Sequence, residues 1–292
     1  MAEPLRIIIC TKRDLIGCLI LNQLLPRLAG CDLRVLLSNK TRPAEGAVAE
    51  LAEMKFLERD LPLDTIFPMV DALGGGGRLA TFQGLARRFD LTVDVVTGIN
   101  TPESEELVRA FRPDAIISIR FSHIFKRRIF DIPRFGTFNV HPGALPRYAG
   151  LFAPFHCMLD GAPSIGATLH RVDDGIDTGP VVGIGHLPID PARSLLWHVA
   201  NAYWPGLEHF LRMVDAWQSG GAVEAMAQDF SHRLYRSMPD AATFADFRAR
   251  GFKLYDPAQY AELLAGFLPP GFGVGTVTIP KVTEAPCSYA RA

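Results

Sequence analysis

The sequence lacks several features, and each absence excludes a class of protein. Its five cysteines are an odd number and form no CxxC pair, which argues against a disulfide framework or a structural zinc site. No apolar stretch approaches the roughly 20 residues of a membrane-spanning helix, and the first residues lack the layout of a secretory signal. The net charge of −1 offers no broad basic surface. We therefore expect a cytoplasmic globular protein without a metal, a membrane or a nucleic-acid partner.

What the sequence does contain is a regular alternation of strand-like and helix-like segments. Thr101 and Pro102 form a typical helix start, and Pro113 ends that helix. Such alternation predicts an α/β fold with a doubly wound, mostly parallel, Rossmann-like sheet. The expected strands are 5–10, 33–38, 91–96, 115–119, 134–140 and 181–184. The expected helices are 14–28, which Pro26 ends or kinks, 79–89, 103–111, and 195–217, which is interrupted near Pro205.

Two parts of the chain depart from this simple pattern. About fifty residues separate the second and third strands, so we expect an inserted helical excursion at about 45–90. Its four-glycine run at 74–77 is followed by Arg78 and not by the Lys-Ser/Thr of a phosphate loop, which favours a flexible turn. The composition changes near residue 222. We expect a main domain at 1–222 and a small C-terminal module or arm at 223–292.

The polar residues best suited to catalysis lie at the end of the fifth strand. Asn139 and His141 are two residues apart, so alternation places both side chains on the same side of an extended segment. In a doubly wound sheet, ligands bind outside the carboxyl ends of the strands. An amide and an imidazole at such an end can donate to a developing oxyanion. The pair therefore predicts acyl-transfer chemistry.

An acidic loop supplies two candidate carboxylates for the same site. Asp173 begins the turn Asp173-Asp174-Gly175, which is also typical of solvated acids. Asp177 precedes Thr178-Gly179-Pro180 and an apolar strand, which favours it as the fixed carboxylate. The spacing alone leaves both candidates open.

These motifs together resemble the folate-dependent formyltransferases. The resemblance rests on Asn139-Val140-His141-Pro142, on Leu145-Pro146-Arg147-Tyr148-Ala149-Gly150 and on Asp177-Thr178-Gly179, and it covers about residues 5–215 with a poor match at 45–90. It implies 10-formyltetrahydrofolate as cosubstrate, no metal, and Asn139, His141 and Asp177 as the catalytic set. In the implied mechanism a substrate amine attacks the formyl carbon. Asn139 and His141 stabilise the oxyanion, while Asp177 orients His141 and helps to move the proton.

The resemblance also implies a slot for the pterin ring of the folate, with most polar contacts from the backbone. The positions of this chain that match the slot are Ile119, Arg120, Phe121, Ile124, Val172, Asp173 and Gly175. Each apolar residue among them is equally well explained as an ordinary residue of the hydrophobic core.

Differences between this sequence and individual members of the family reduce the number of possible acceptor substrates. Cys10-Thr11-Lys12-Arg13-Asp14 replaces the Gly-Ser-Asn phosphate loop of the glycinamide ribonucleotide enzyme. The tail is short, so we do not expect the full C-terminal barrel of the methionyl-tRNA enzyme. The first strand begins at about Leu5, so we do not expect the regulatory domain that precedes the catalytic domain in the formyltetrahydrofolate hydrolase. We expect an N-formyltransferase acting on a small primary amine, in first place a nucleotide-linked amino sugar. Tyr235 and Phe244 are candidates for stacking on a base, although the core of the tail explains them better.

Several alternatives stay open at this point. They are a hydroxyornithine-type amine for siderophore synthesis, methionyl-tRNA, hydrolysis with water as acceptor, and a folate-binding relative without activity. The family often forms dimers, so a homodimer is also expected.

Overall fold

A seven-stranded sheet runs through the molecule and confirms the expected α/β class. The computed structural model describes residues 3–272. The strands are β1 (Arg6–Lys12), β2 (Asp32–Ser38), β3 (Thr92–Val96), β4 (Ala115–Ile119), β5 (Gly136–His141), β6 (Ala149–Gly150), β7 (Ser164–Arg171), β8 (Val181–Pro188) and β9 (Tyr235–Arg236). The main sheet has the order β3-β2-β1-β4-β5-β7-β8. Its first five strands are parallel, and β7 and β8 are antiparallel to their neighbours.

Helices cover both faces of this sheet. They are α1 (Leu15–Leu24), α2 (Ala44–Ala47), α3 (Ala49–Lys55), α4 (Phe67–Ala72), α5 (Phe82–Phe89), α6 (Pro102–Phe111), α7 (Arg127–Phe130), α8 (Ala153–Leu159), α9 (Leu195–Asn201), α10 (Trp204–Gln218), α11 (Ala241–Ala249) and α12 (Pro257–Ala265). In β1, Ile7 and Ile9 join the core that contains α1 and α10, whereas Ile8 and Cys10 join the core that contains α6 and α7. Burial on both faces explains why β1 and β4 are continuous apolar runs.

Local sequence signals account for where the helices begin and end. The Asp14 carboxylate accepts a hydrogen bond from the Gly17 N–H at 2.8 Å and caps α1. The helix predicted to reach residue 28 ends at Leu24, where a tighter turn containing Pro26 follows. The helix predicted at 195–217 is divided into α9 and α10, with Pro205 in the first turn of α10. The sequence did not predict α8 or β7.

The insertion and the C-terminal helices pack together. After α3 the insertion continues through widened helical turns at Phe56–Asp60 and Pro62–Ile66. The Tyr260 hydroxyl on α12 donates to the Leu57 carbonyl at 2.8 Å, and Phe244 is completely buried at 5.0 Å from the Phe155 ring. Phe244 therefore belongs to the core and does not stack on a ligand. The boundary at residue 222 stays a prediction, because the described part of the tail shares the main core.

The described cysteines behave as small apolar residues. Cys10, Cys18 and Cys157 are buried free thiols, and burial raises the pKa of Cys157 to about 12. Cys287 lies outside the described residues. Within 3–272, every helix falls short of the length and apolar character that a membrane crossing requires.

Candidate active site

A cavity of about 360 Å³ opens where β1, β4 and β5 end. One part of its lining, here called the strand-end wall, comes from Ser118, 120–125, 139–142, 150–152, Pro154, His170, 172–173 and 175–177. A second part, here called the insertion wall, comes from Lys12, Arg42, Glu45, Leu51, Met54, Lys55, Glu58 and Arg59. The cavity thus lies at the carboxyl edge of the sheet, where the sequence predicted it.

The fold brings the predicted imidazole and carboxylate together. Asp177 Oδ1 lies 3.7 Å from His141 Nδ1, and Asp177 Oδ2 accepts a hydrogen bond from the Gly150 N–H at 2.9 Å. His141 Nε2–H donates to the Tyr148 carbonyl at 2.6 Å. Since Nε2 carries the proton of this bond, Nδ1, which faces the carboxylate, is the unprotonated nitrogen of the neutral ring. A proton taken up at Nδ1 would be stabilised by Asp177.

A histidine that no sequence motif identifies completes the group. The antiparallel pairing of β5 and β7 places His170 opposite Asn139. His170 Nδ1–H donates to the Arg171 carbonyl at 2.8 Å, which leaves Nε2 to accept from Asn139 Nδ2 at 3.1 Å. Burial lowers the pKa of His170, although Asp177, 3.8 Å away, acts in the opposite direction. His170 is therefore a neutral acceptor that fixes the amide of Asn139.

The turn after His141 depends on a missing side chain. A Cβ atom at Gly143 would lie 2.5 Å from the Tyr148 carbonyl oxygen and 2.8 Å from His141 Nε2. Any larger residue would therefore disturb the hydrogen bond that holds the imidazole. Thr168 on β7 also stabilises this turn, since its hydroxyl donates to the Gly143 carbonyl at 2.7 Å.

The two acidic candidates occupy different positions. The Asp173 carboxylate accepts from the Thr178 hydroxyl at 2.7 Å and from the Gly175 N–H at 3.1 Å, so it stabilises its own loop. Asp177 has a positive φ of 55° and directs its carboxylate towards His141 and His170. This geometry favours Asp177 as the functional carboxylate.

Most of the residues predicted for the pterin slot line the cavity. Phe121 stacks on Phe125 with ring centroids 5.5 Å apart, and Ile124 is 65% exposed. Ile119 was predicted to line the slot, but it is completely buried in the core and does not reach the cavity. The predicted residues that line the cavity are Arg120, Phe121, Ile124, Val172, Asp173 and Gly175.

The Arg120 side chain enters a buried ionic cluster that the sequence did not reveal. Its guanidinium lies 2.9 Å from Asp14 Oδ2 and forms a second ion pair with Glu58 of the insertion. Burial acts to lower the pKa of Arg120, but Asp14 and Glu58 outweigh this and raise it. Burial also raises the pKa of Glu58, against the opposing effect of Arg120. The two walls are therefore linked by charge.

The insertion-wall side chains that line the cavity include four cations and two carboxylates, namely Lys12, Arg42, Lys55, Arg59, Glu45 and Glu58. Lys12 pairs with Glu45 at 3.6 Å, and the Arg59 guanidinium donates to Asn39 at 3.0 Å. Arg42 and Lys55 also line the cavity. Only the tertiary structure identifies most of these residues, because nothing in the local sequence distinguishes them from ordinary surface charges. Among residues 3–272, no three His, Cys, Asp or Glu side chains are grouped as a metal site requires.

The sequence around this site is similar to known proteins. Residues 96–197 match the family model described as formyl transferase, and this segment contains Asn139, His141 and Asp177. The methionyl-tRNA formyltransferase of Trichlorobacter lovleyi is 33% identical over 182 residues, which cover 61% of this chain and 57% of the relative. The matches cover 59%, 46% and 41% of three further methionyl-tRNA formyltransferases. The chain thus spans about half the length of the curated relatives it matches.

Two solved structures share the fold. A 4-N formyltransferase from Francisella tularensis superposes with a TM-score of 0.52 at 13% identity and covers 93% of this chain and 91% of its own. An N-formyltransferase from Helicobacter canadensis, solved with folinic acid and dTDP-3-aminofucose, has a TM-score of 0.50 at 18% identity, with 80% and 71% covered. At these identities the likeness describes the fold alone.

Proposed function

We propose that this chain, a member of the folate-dependent formyltransferases through its formyl transferase domain, moves a formyl group from 10-formyltetrahydrofolate to a primary amine. The same family was expected from the sequence motifs around Asn139, His141 and Asp177. The observation that supports the activity most is the convergence of Asn139, His141 and Asp177 on one cavity. The transfer exchanges one C–N bond for another and moves one proton from the amine to the folate nitrogen, so it needs no oxidant or reductant.

Asn139 is suited to stabilise negative charge on the carbonyl oxygen. Its amide is held by His170 at 3.1 Å. A donor that is already oriented needs no rearrangement when the charge develops, and removing one such donor typically costs about 10²–10³-fold in kcat. We assign oxyanion stabilisation to Asn139 and, in its protonated form, to His141.

The His141–Asp177 pair is suited to handle the proton. The Tyr148 carbonyl fixes the ring through Nε2, so Nδ1 faces the carboxylate at 3.7 Å. Protonation of Nδ1 creates an ion pair at this position, which makes the ring a better acceptor for the proton that the amine must lose. We assign orientation and charge stabilisation to Asp177.

The strand-end wall fits a folate. Phe121, Ile124 and Val172 offer apolar surface to a flat ring. The buried Nε2 atom of His123 has no protein partner within the described residues, and burial lowers the pKa of this cavity-lining imidazole. A neutral polar atom beside apolar side chains suits a ring with polar edges. When bound, 10-formyltetrahydrofolate would supply the activated formyl group.

For the acceptor we propose a nucleotide-linked amino sugar. Arg42 and Arg59 of the insertion wall suit phosphate groups, and the cavity-lining ring of Tyr235, 46% exposed, suits a base. The Helicobacter canadensis enzyme was solved with a molecule of this class. A hydroxyornithine-type amine and methionyl-tRNA are the competing acceptors. A homodimer and a cytoplasmic location stay predictions.

The decisive experiment is turnover of 10-formyltetrahydrofolate by the purified protein. It is run without acceptor and then with amino-sugar nucleotides, hydroxyornithine and methionyl-tRNA, with tetrahydrofolate and formylated amine both measured. We expect turnover that depends on an amino-sugar nucleotide. Turnover with one of the other amines would correct the acceptor, amine-independent release of formate would replace transfer by hydrolysis, and no turnover with any acceptor would contradict the activity.

A further inference from the structure

We infer that Gln228 is a positioning residue that holds the Asp177 carboxylate in its working place, an inference that rests on the proposed function. Gln228 belongs to a segment after α10, residues 226–236, here called the strap. The strap contacts both the loop that carries Asp177 and the loop whose backbone binds the Asp177 carboxylate.

The first set of strap contacts is with the acidic loop. The Gln228 side-chain amide donates to the Asp177 carbonyl at 3.1 Å and to the Gly179 carbonyl at 2.7 Å. Met226 and Val181 exchange both of their backbone hydrogen bonds at 2.8 Å. The Arg233 guanidinium donates to the Ile176 carbonyl at 3.0 Å. The strap thus binds the loop before, at and after Asp177.

The second set of contacts is with the loop that receives the carboxylate. The strap ends in β9, which pairs with β6 and so fixes Ala149 and Gly150. The Gly150 N–H is the backbone donor to Asp177 Oδ2. Through these two sets of contacts, the strap holds both the backbone that carries the carboxylate and the donor that orients it.

Gln228 is the member of the strap on which this arrangement most depends. Asp177 has a φ of 55°, a left-handed conformation that is unfavourable for a residue with a Cβ atom. Two backbone carbonyls of this turn are satisfied by one side-chain amide, since each N–H of the amide serves one carbonyl. Removal of the donor would leave both carbonyls unpaired, and the turn could relax away from His141.

The test compares Gln228→Met with Gln228→Lys. Methionine keeps the length and shape of glutamine but cannot donate, whereas lysine can donate to both carbonyls. A displacement of about 1 Å at a reacting group can cost about 10²-fold in rate. We therefore expect Gln228→Met to lower kcat by about 10–100-fold with both KM values nearly unchanged, and Gln228→Lys to recover part of the loss. A Gln228→Met variant with normal kcat, or a loss confined to KM, would overturn the inference.

A second readout separates this inference from the proposed function. Hydrogen exchange of the Gly150 amide reports directly on its bond to Asp177. We expect the Gly150 amide to exchange faster in Gln228→Met than in the wild-type protein. The control Gln218→Met, which removes an exposed glutamine from the end of α10, should leave the exchange rate of this amide unchanged. Unchanged exchange at Gly150 would overturn the positioning role even in an active enzyme. If the wild-type protein transfers no formyl group, the proposed function fails, while faster exchange would still support the contact between the strap and Asp177.

Discussion

The two walls of the cavity are built in different ways. The strand-end wall takes Asn139 and His141 from one strand end and Asp177 from a loop that begins at the end of β7, all within a short stretch of the chain. The insertion wall takes Lys12 from β1 and its other members from the helical excursion, which α12 holds through Tyr260. Under the proposed function, the first wall supplies the groups for the reaction and the second supplies groups that recognise the acceptor. We therefore propose that separate parts of the chain encode the chemistry and the choice of acceptor.

The largest effect should come from the proposed catalytic group of the strand-end wall. Replacing His141 by Ala or Asp177 by Asn should lower kcat by about 10³–10⁴-fold, because the groups of such a set act as a unit. Asp173→Asn is the matched control and should lose far less, since this carboxylate serves its own loop. Steady-state kinetics with circular dichroism tests this, and equal losses at both acids would refute the choice of Asp177.

Arg120 tests whether the two walls are structurally independent. Arg120→Met leaves Asp14 and Glu58 without their cation in a buried place, and it should lower the free energy of unfolding by about 3–5 kcal/mol. The control is Arg127→Met, which removes exposed ion pairs with Asp174 and Asp131 and should lower the free energy of unfolding far less. Urea unfolding measures both values. Similar stabilities for the two variants would show that the charge link between the walls contributes little.

The insertion wall should affect binding and not chemistry. If Arg59 meets an anionic acceptor, Arg59→Ala should raise the acceptor KM by about tenfold and leave kcat nearly unchanged, as expected for the loss of one charge-assisted hydrogen bond. Arg212→Ala, an exposed arginine on α10 outside the cavity lining, is the control. A fall in kcat without a change in the acceptor KM would contradict the assignment of binding to the insertion wall and of chemistry to the strand-end wall.

The smallest effect should be a pH dependence that arises from His170. Its lowered pKa means that the native ring stays neutral below the ordinary value of about 6.5. The unfolded chain binds this proton first, so stability should fall as pH drops below about 6.5. Protonation of the native ring at still lower pH removes the acceptor for Asn139, and kcat should fall a few-fold.

The variant His170→Gln separates this ring from the other histidines. A glutamine oxygen can accept from Asn139 but does not titrate, so the acid loss of kcat relative to neutral pH should shrink. Profiles of kcat against pH for both proteins, taken above the pH of unfolding, provide the measurement. An identical acid limb in the variant would assign the titration to another group.

Local rules allowed much of the fold and of the strand-end wall to be predicted from the sequence. Alternating apolar segments specified the parallel strands, and Thr101, Pro102 and Pro205 marked helix starts. Strand β7 was missed, and with it His170, because its role follows from antiparallel pairing with β5. The separation of α9 from α10 near Pro205 was expected, whereas the packing of the tail onto the insertion was not.

The sequence by itself determined the fold class and the candidate pair Asn139 and His141, because strand alternation, turns and short motifs act over a few residues. Spacing left Asp173 and Asp177 open, and the family resemblance favoured Asp177. Only the tertiary structure decided which distant groups surround them. Arg120 and Glu58 are 62 residues apart, Gln228 and Asp177 are 51 apart, and Tyr260 and Leu57 are 203 apart. Such contacts depend on how the whole chain packs, and a local pattern carries no information about them.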